Sequence, residues 1–273
     1  MDFFWLKKKQ ITEPTHHEDE DNLNLSEGAH ILVNCKNVVL TGTACVLEST
    51  DSDYIDVTAK SKIQILHNGH ITNVGGKAKI GMVKTGVIEK ITDYAQITTI
   101  NYCEFEYVSG HAKIGTFNNG TIKFLDKHAS ISTFNSGNIM FMRDNAKIGT
   151  MIDGTIDGIL NRAEIHTVMH GHIGYMLNKT KIGTLNQGDI EEICDNAQID
   201  TMNEGVVLHM MGNSMVFQQI GGKIQERSGQ AILLYAQKPA KKLEQQIEFD
   251  ISEITIKKPA KFGTKKVFDN IDE

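Results

Sequence analysis

The stretch AKIGTFNNGTIKFLDKH, residues 112–128, is one complete copy of a 17-residue repeat. Ten copies follow one another over residues 61–230 without an insertion or a deletion. The third position is Ile in nine copies, the ninth is Gly in nine copies, and the eleventh is always Ile, Phe or Val. The copies begin at Ser61, Ala78, Ala95, Ala112, Ala129, Ala146, Ala163, Thr180, Ala197 and Ser214. A strict repeat of this length predicts a solenoid, because one copy cannot bury its apolar side alone.

Each copy contains the pattern small-x-Ile-x-x-apolar twice, as in Ala112 to Phe117 and Gly120 to Leu125. Small-x-Ile has the period of two that places both residues on one side of a strand, and the next apolar residue needs a bend. A helix is excluded because Gly would recur in every second turn among β-branched residues. The fold class is therefore all-β: a single-stranded parallel β-helix, or β-solenoid, of ten regular 17-residue coils. The inward spacing does not match a left-handed hexapeptide solenoid, and we expect a right-handed one.

The segments outside the repeat differ in composition. Residues 1–27 are predicted to be an apolar N-terminal tip followed by an acidic flexible linker, and residues 28–230 the β-solenoid with looser coils before Ser61. Residues 231–256 contain AILLY and the alternating QIEFDISEITI, which are predicted to be capping strands over the last coil. Residues 257–273 form a charged tail.

Composition limits the classes of function and location. The net charge of −6 argues against a nucleic-acid partner. The four cysteines show no CxxC spacing, which favours ordinary thiols in a reducing compartment. No apolar run of membrane-spanning length and no secretory signal is found in the sequence. We therefore expect a cytoplasmic protein.

Two polar ladders are candidate binding surfaces. Position five is Thr in seven consecutive copies, and position two is often Lys. Ice-binding solenoids use two parallel Thr ranks, but the second rank here is interrupted by Ile152 and Met169, which favours a stacked Thr/Asn turn ladder. The Lys stripe could meet an acidic polymer or lipid headgroups, or be a solvated face. The candidates are Thr99, Thr116, Thr133, Thr150, Thr167, Thr184, Thr201, Lys79, Lys113, Lys147 and Lys181.

No catalytic or metal-binding constellation is predicted, and no cofactor. His166, His170 and His172 lie within one coil, but neighbouring coils offer no matching Cys or Asp set, so these histidines are expected in exposed turns. Glu104 and Glu106 lie two apart on one strand face. A repeat without insertions has no long loop to wall a pocket, which argues against an enzyme and leaves a carbohydrate-active enzyme with a shallow site as an alternative.

The N-terminus carries a second signal. Phe3, Phe4, Trp5 and Leu6 precede Lys7, Lys8 and Lys9. Bulky apolar residues beside a lysine cluster favour shallow insertion at an anionic membrane surface. A single N-terminal tip would bind a membrane weakly, but many tips on one polymer would bind together by avidity. The competing interpretation is a plug that covers the first coil.

This organisation resembles that of the bactofilins: an apolar, lysine-flanked N-terminal tip, a polar linker, a short-coil solenoid without loops and a charged tail. The resemblance implies a cytoplasmic cytoskeletal protein with a right-handed β-helix core that polymerises end to end without nucleotide. It also implies a membrane-targeting role for Met1–Lys9. The 17-residue unit is more regular and the solenoid longer than is usual in that family, and segment 231–256 is placed to block one end.

Two functions follow as hypotheses. The first is a non-enzymatic structural scaffold that self-associates as a cytoskeletal polymer and attaches to the cytoplasmic membrane surface. The alternative is a capped binding module, of a kind also encoded by phages, that recognises a protein or polysaccharide through one face.

Overall fold

A computed structural model describes residues 13–236 of the chain, and these residues are built almost entirely from short strands and turns. The strands are β1 Thr15–Glu18, β2 Asn24–Leu25, β3 Ala29–Val33, β4 Val38–Leu40, β5 Cys45–Thr50, β6 Ser52–Val57, β7 Lys62–Leu66, β8 Gly69–Val74, β9 Lys79–Val83, β10 Val87–Ile91, β11 Gln96–Ile100, β12 Cys103–Val108, β13 Lys113–Phe117, β14 Gly120–Leu125, β15 Ser130–Phe134, β16 Asn138–Met142, β17 Lys147–Met151, β18 Thr155–Ile159, β19 Glu164–Val168, β20 His172–Met176, β21 Lys181–Leu185, β22 Asp189–Ile193, β23 Gln198–Met202, β24 Val206–Met210, β25 Met215–Gln219, β26 Lys223–Arg227 and β27 Ile232–Ala236.

The strands form two parallel sheets, and the chain alternates between them. Every odd-numbered strand lies in a 14-stranded sheet and every even-numbered strand in a 13-stranded sheet, in the order of the sequence. The chain therefore makes about 13 turns of a β-solenoid, which confirms the all-β prediction. The ten coils of the exact repeat are its central part, and less regular coils extend the solenoid upstream.

The interior is a set of columns in which identical repeat positions stack. Ile114 pairs with Ile131, and Ile131 with Ile148, each about 1 % exposed. The rings of Phe117 and Phe134 stack at 5.4 Å, and Phe105 reaches Phe117 across the core at 6.2 Å. Because the two sheets share this core, their outer faces point in opposite directions. Of the predicted inward positions, 1, 3, 6, 11 and 14 are confirmed as buried throughout most of the repeat, whereas position nine is half-buried in most copies.

The bend predicted inside each strand lies at positions four and five. In β13 the pairing joins positions two, three, five and six to the next coil and skips Gly115 at position four. Ile114 and Phe117 point inward, whereas the two residues between them face outward and are half-buried. The strand thus buries two apolar residues three apart.

Two turn positions explain how 17 residues close one coil. At position nine, Gly120 has φ +126°, and a Cβ there would lie 2.0 Å from the Cys103 carbonyl oxygen in the neighbouring coil. From the sequence, position nine could be glycine because of a corner with positive φ or because of close packing, and the pattern favours packing; at Gly120 both reasons apply. Position 16 has positive φ in every copy, from +56° at Asp93 to +72° at Gly110, and holds Gly, Asp, Asn or Lys. That second corner was not predicted.

The ends of the solenoid differ from the expected boundaries. Strand pairing begins at Thr15, where β1 pairs with β3, upstream of the predicted start at residue 28. Leu25 is buried and the tilted rings of His17 and His30 lie 5.4 Å apart, so few apolar residues suffice for this coil. At the other end AILLY contributes β27, which pairs in parallel with β25 and so continues the 14-stranded sheet. The alternating segment 246–256 and the charged tail 257–273 lie outside the described residues.

Candidate functional site

The threonine and lysine ladders lie together on the outer face of the 14-stranded sheet. Thr99 pairs with Thr116, and the pairing continues without a break to Thr201. The threonines are half-buried and lie within strands, so the predicted Thr turn ladder is a strand ladder. The Lys column runs beside it at position two. Lys147 pairs with Glu164 at 2.9 Å, and Lys181 with Asp200 at 2.7 Å.

The asparagine column at position seven lies in the following turn. The Asn118 side-chain amide donates to Asn101 at 3.1 Å, and the Asn135 amide donates to Asn118 at 2.5 Å. The Asn203 amide donates to Asn186 at 2.6 Å. The amide part of the predicted hydrogen-bonded ladder is therefore confirmed. It is interrupted by exposed Ile152 and Met169.

A shallow open groove of about 560 Å³ runs along the corner at positions eight to ten. Its floor is the glycine column, where the absence of side chains leaves the backbone open. Its walls are two columns of polar side chains contributed by successive coils. The wall residues are Ser136, Asp153, His170, Gln187 and Glu204 on one side and Thr155, His172 and Asp189 on the other. A concave surface thus forms without loops, contrary to the expectation that a loop-free repeat offers no pocket walls.

Backbone N–H groups in the groove floor are paired in some coils and open in others. The N–H groups of Gly120 and Gly154 each donate to the side-chain oxygen of the preceding residue, at 2.7 and 2.8 Å. Within residues 13–236, the N–H groups of Gly171, Gly188 and Gly205 have no hydrogen-bond acceptor. The floor therefore offers donors at each of three successive coils, while the wall carboxylates offer acceptors. A ligand that donates and accepts, such as a polyhydroxyl compound, would match this pattern.

The histidine cluster separates in space. His166 lies on the outer face of β19, whereas His170 and His172 belong to opposite walls of the groove. Adjacent coils do contribute Asp153 and Asp189 beside them, which was not anticipated from the sequence. Across the described residues, no group of three His, Cys, Asp or Glu side chains is close enough to hold a metal ion.

The carboxylates considered for catalysis lie on the outer face of the 13-stranded sheet. Glu104 and Glu106 project from β12 and line a shallow surface of about 360 Å³ together with Glu89 and Lys123. Within residues 13–236, no salt bridge involves Glu104 or Glu106. They are therefore free surface charges rather than a buried acid and base pair.

The two cysteines with a shifted pKa, Cys103 and Cys194, are both shifted upwards, away from the reactive thiolate form. All four cysteines are free. Burial raises the pKa of the Cys103 thiol well above its usual range. Partial burial, followed by the hydrogen bond to Glu192 and the charge of that carboxylate, raises the pKa of Cys194 to about 12. Both thiols stay protonated at neutral pH and are poor nucleophiles.

A stripe of aromatic side chains at position 13 was not singled out from the sequence. The rings of Tyr107 and Phe124 stack at 5.0 Å, and those of Phe124 and Phe141 at 5.8 Å. The Arg143 guanidinium lies 4.4 Å from the Phe124 ring centroid and bonds to Asp126 at 2.8 Å. Reading position 13 down the aligned copies would have found these three consecutive aromatic residues.

The proposed membrane-contact residues, Phe3 to Lys9, lie outside the described residues. Between residues 13 and 236 there is no helix with the length and apolar character needed to cross a membrane. Comparison with known proteins found no family model, no curated protein and no solved structure that matches this chain. Its function has to be inferred from its own residues.

Proposed function

We propose that this chain is a non-enzymatic structural scaffold, a rigid β-solenoid that self-associates in the cytoplasm and attaches to the membrane through Phe3–Lys9. The observation that carries the proposal is the uninterrupted parallel pairing from β1 to β27. At about 4.8 Å per coil, some 13 turns form an element about 60 Å long. No insertion breaks the ten-copy repeat, so its faces are free of projecting loops.

The described end of the solenoid supports self-association. Ile232, Leu234 and Tyr235 of β27 are 41 %, 48 % and 71 % exposed. Among the described strands, β27 pairs only with β25, so its other edge is unpaired. An unpaired apolar edge strand is a template for another strand. A second copy of the chain would supply such a strand, and segment 246–256, predicted from the sequence to be a capping strand, would compete with it for this edge.

The experiment is negative-stain electron microscopy of the full-length chain beside a variant lacking residues 1–10. Filaments in both, together with loss of cosedimentation with anionic vesicles in the shortened chain, would support a scaffold and a membrane tether. Short single particles in both, at every concentration, would overturn the scaffold. Vesicle binding that survives the deletion would overturn the tether.

The groove favours a second candidate function, the binding of a neutral polysaccharide. Its open glycine N–H groups and its wall of Asp, Glu, Gln and His side chains supply both kinds of hydrogen-bonding partner for hydroxyl groups. Titration calorimetry with a panel of neutral oligosaccharides tests it. Binding that weakens at least about tenfold in Asp189→Asn, but not in a Lys77→Gln control outside the groove, would support this function. No binding across the panel would overturn it.

A further inference from the structure

The two outer faces of the repeat carry opposite charge. We define the lysine face as positions two, four and five of residues 61–213, and the carboxylate face as positions 10, 12 and 13. The lysine face holds five lysines and two carboxylates: Lys62, Lys79, Lys113, Lys147, Lys181, Glu164 and Asp200. The carboxylate face holds seven carboxylates and two lysines: Glu89, Glu104, Glu106, Asp157, Asp189, Glu191, Glu192, Lys90 and Lys123.

Both faces carry charges that form no salt bridge among residues 13–236, and four of these charges lie at the same height along the solenoid. On the lysine face, Lys147 and Lys181 are neutralised by neighbouring carboxylates, whereas Lys79 and Lys113 form no salt bridge within residues 13–236. On the other face, Glu104 and Glu106 likewise have none, and the same holds for Asp157, Asp189 and Glu192 further along and for Lys90 and Lys123 in the adjacent coils. Lys79, Lys113, Glu104 and Glu106 belong to three successive coils. Their charges are thus available to a partner at the same height along the solenoid.

The shapes of the two faces match over the same coils. On the carboxylate face, the stacked rings of Tyr107, Phe124 and Phe141 form a ridge that spans three coils. On the lysine face, position four is small in five consecutive coils, and in the last four of them it forms a lane beside the threonines. The lane residues are Thr98, Gly115, Ser132 and Gly149. Ridge and lane share the same axial repeat because both are set by the spacing of the strands.

We propose that the lysine face of one copy packs against the carboxylate face of a second copy, with the aromatic ridge seated on the small-residue lane. The contact uses different surfaces on the two partners, so it does not close and continues as an open stack. Nine coils of about 4.8 Å and strands about 17 Å long give each face about 700 Å², close to the 800 Å² or so per partner of a typical specific interface. The inference rests on the proposed scaffold function and names the surface through which copies associate side by side.

The partner that we propose for each face is a second copy of this chain, because the chain carries both surfaces with the same axial spacing. A nucleic acid would meet the lysine face alone, whose net positive charge is small. Opposite charges on rigid complementary faces favour association and fix its register. Such contacts weaken as salt rises, because exposed charges are screened.

The test is sedimentation velocity of the full-length chain with two charge-reversed variants. Lys79→Glu/Lys113→Glu makes both faces acidic, and Glu104→Lys/Glu106→Lys makes the second face basic over residues 78–128. A control, Lys77→Glu/Lys179→Glu, makes the same charge change as the first variant at the position-17 corner, outside both faces. Circular dichroism verifies that each variant folds.

We expect each face variant alone to associate at least about tenfold more weakly than the native chain. Mixing the two face variants restores association, because the unchanged carboxylate face of the first meets the unchanged lysine face of the second. The control behaves as the native chain, and association of the native chain falls between about 50 mM and about 500 mM NaCl.

Equal association of the face variants and the native chain would overturn the inference, as would an equal loss in the control. Single-width filaments that persist in both face variants would overturn the side-by-side contact while supporting the scaffold. A native chain that stays monomeric at every concentration would overturn both.

Discussion

Replacement of Ile148 by Asp tests the assignment of the repeat register directly. Ile148 is about 1 % exposed and stacks between Ile131 and Ile165. Four residues later in the same coil, Ile152 is 42 % exposed and points out of the core. Ile152→Asp is therefore a matched control: the same substitution in the same coil, differing only in burial.

The magnitude follows from two costs. Removing a buried Ile side chain from the core forfeits about 2–3 kcal/mol of transfer free energy. The introduced carboxyl must then be buried, and protonating an Asp of ordinary pKa about 3.9 at pH 7 costs about 4 kcal/mol. We expect Ile148→Asp to lose about 6 kcal/mol locally and Ile152→Asp less than about 1 kcal/mol. The loss should be largest in the adjacent coils, because a repeat protein is stabilised by nearest neighbours.

The pH dependence has a definite sign. The carboxyl that Ile148→Asp introduces would be buried and would have a pKa above its unfolded value, so the folded variant binds more protons than the unfolded one between the two values. Relative to the native chain at the same pH, the variant then gains stability as the pH falls from 7 towards 4, by about 1.4 kcal/mol per pH unit. Hydrogen exchange measured by mass spectrometry locates the loss, and urea unfolding measures it. Equal unfolding midpoints for the two variants would show that the register is wrong.

Three further predictions concern particular side chains. Gly154→Asn should lower the free energy of unfolding by about 2–5 kcal/mol, because φ is +102° and a Cβ would lie 2.6 Å from a neighbouring carbonyl oxygen. Gly212→Asn should lower it by less than about 1 kcal/mol, because the same position in other coils already holds Asn at a similar φ. Urea unfolding of the two variants compares these losses. Stability should fall above about pH 9, where the Cys103 thiol ionises only in the unfolded chain, and should fall less steeply in Cys103→Ala; unfolding midpoints across pH check this. Arg143→Met should cost about 1–3 kcal/mol by leaving the 8 %-exposed Asp126 without its cation, and adding Asp126→Asn should recover most of that loss in the same assay.

The solenoid could be predicted from the repeat because its inward positions are nearly invariant. Burial selects Ile or Val at position three and a small residue at position one in every copy, so one copy such as residues 112–128 shows how each coil is packed. The first coil could not be predicted in the same way. Its packing relies on His17 and Leu25, and the rest of its order comes from backbone pairing. Neither produces a periodic pattern of apolar residues in this acidic segment.

The groove and the faces were harder to predict because they depend on columns rather than on neighbours in the chain. Gly171 and His172 are adjacent in sequence, but the groove also needs Asp153 and Asp189, which are a coil away in each direction. The corner with positive φ at position 16 could in principle have been predicted from the sequence. Gly, Asp and Asn recur there because they tolerate positive φ, but each copy taken alone reads as an ordinary polar turn.

Position four reveals a longer period that bears on how the faces are used. It is Gly in every second coil, at Gly81, Gly115, Gly149 and Gly183, and Lys precedes each by two residues. A Cβ at Gly115 would lie 2.4 Å from the Thr98 carbonyl oxygen, so the small residue is required by the backbone there. The intervening coils hold larger side chains, and the lysine face thus repeats every two coils. The carboxylate face shows no such alternation at position 12 or 13. A two-coil shift between stacked copies would keep the lysines and glycines of the lysine face in equivalent places, whereas a one-coil shift would exchange them. The side-by-side contact should therefore favour axial offsets in steps of about 9.6 Å rather than about 4.8 Å.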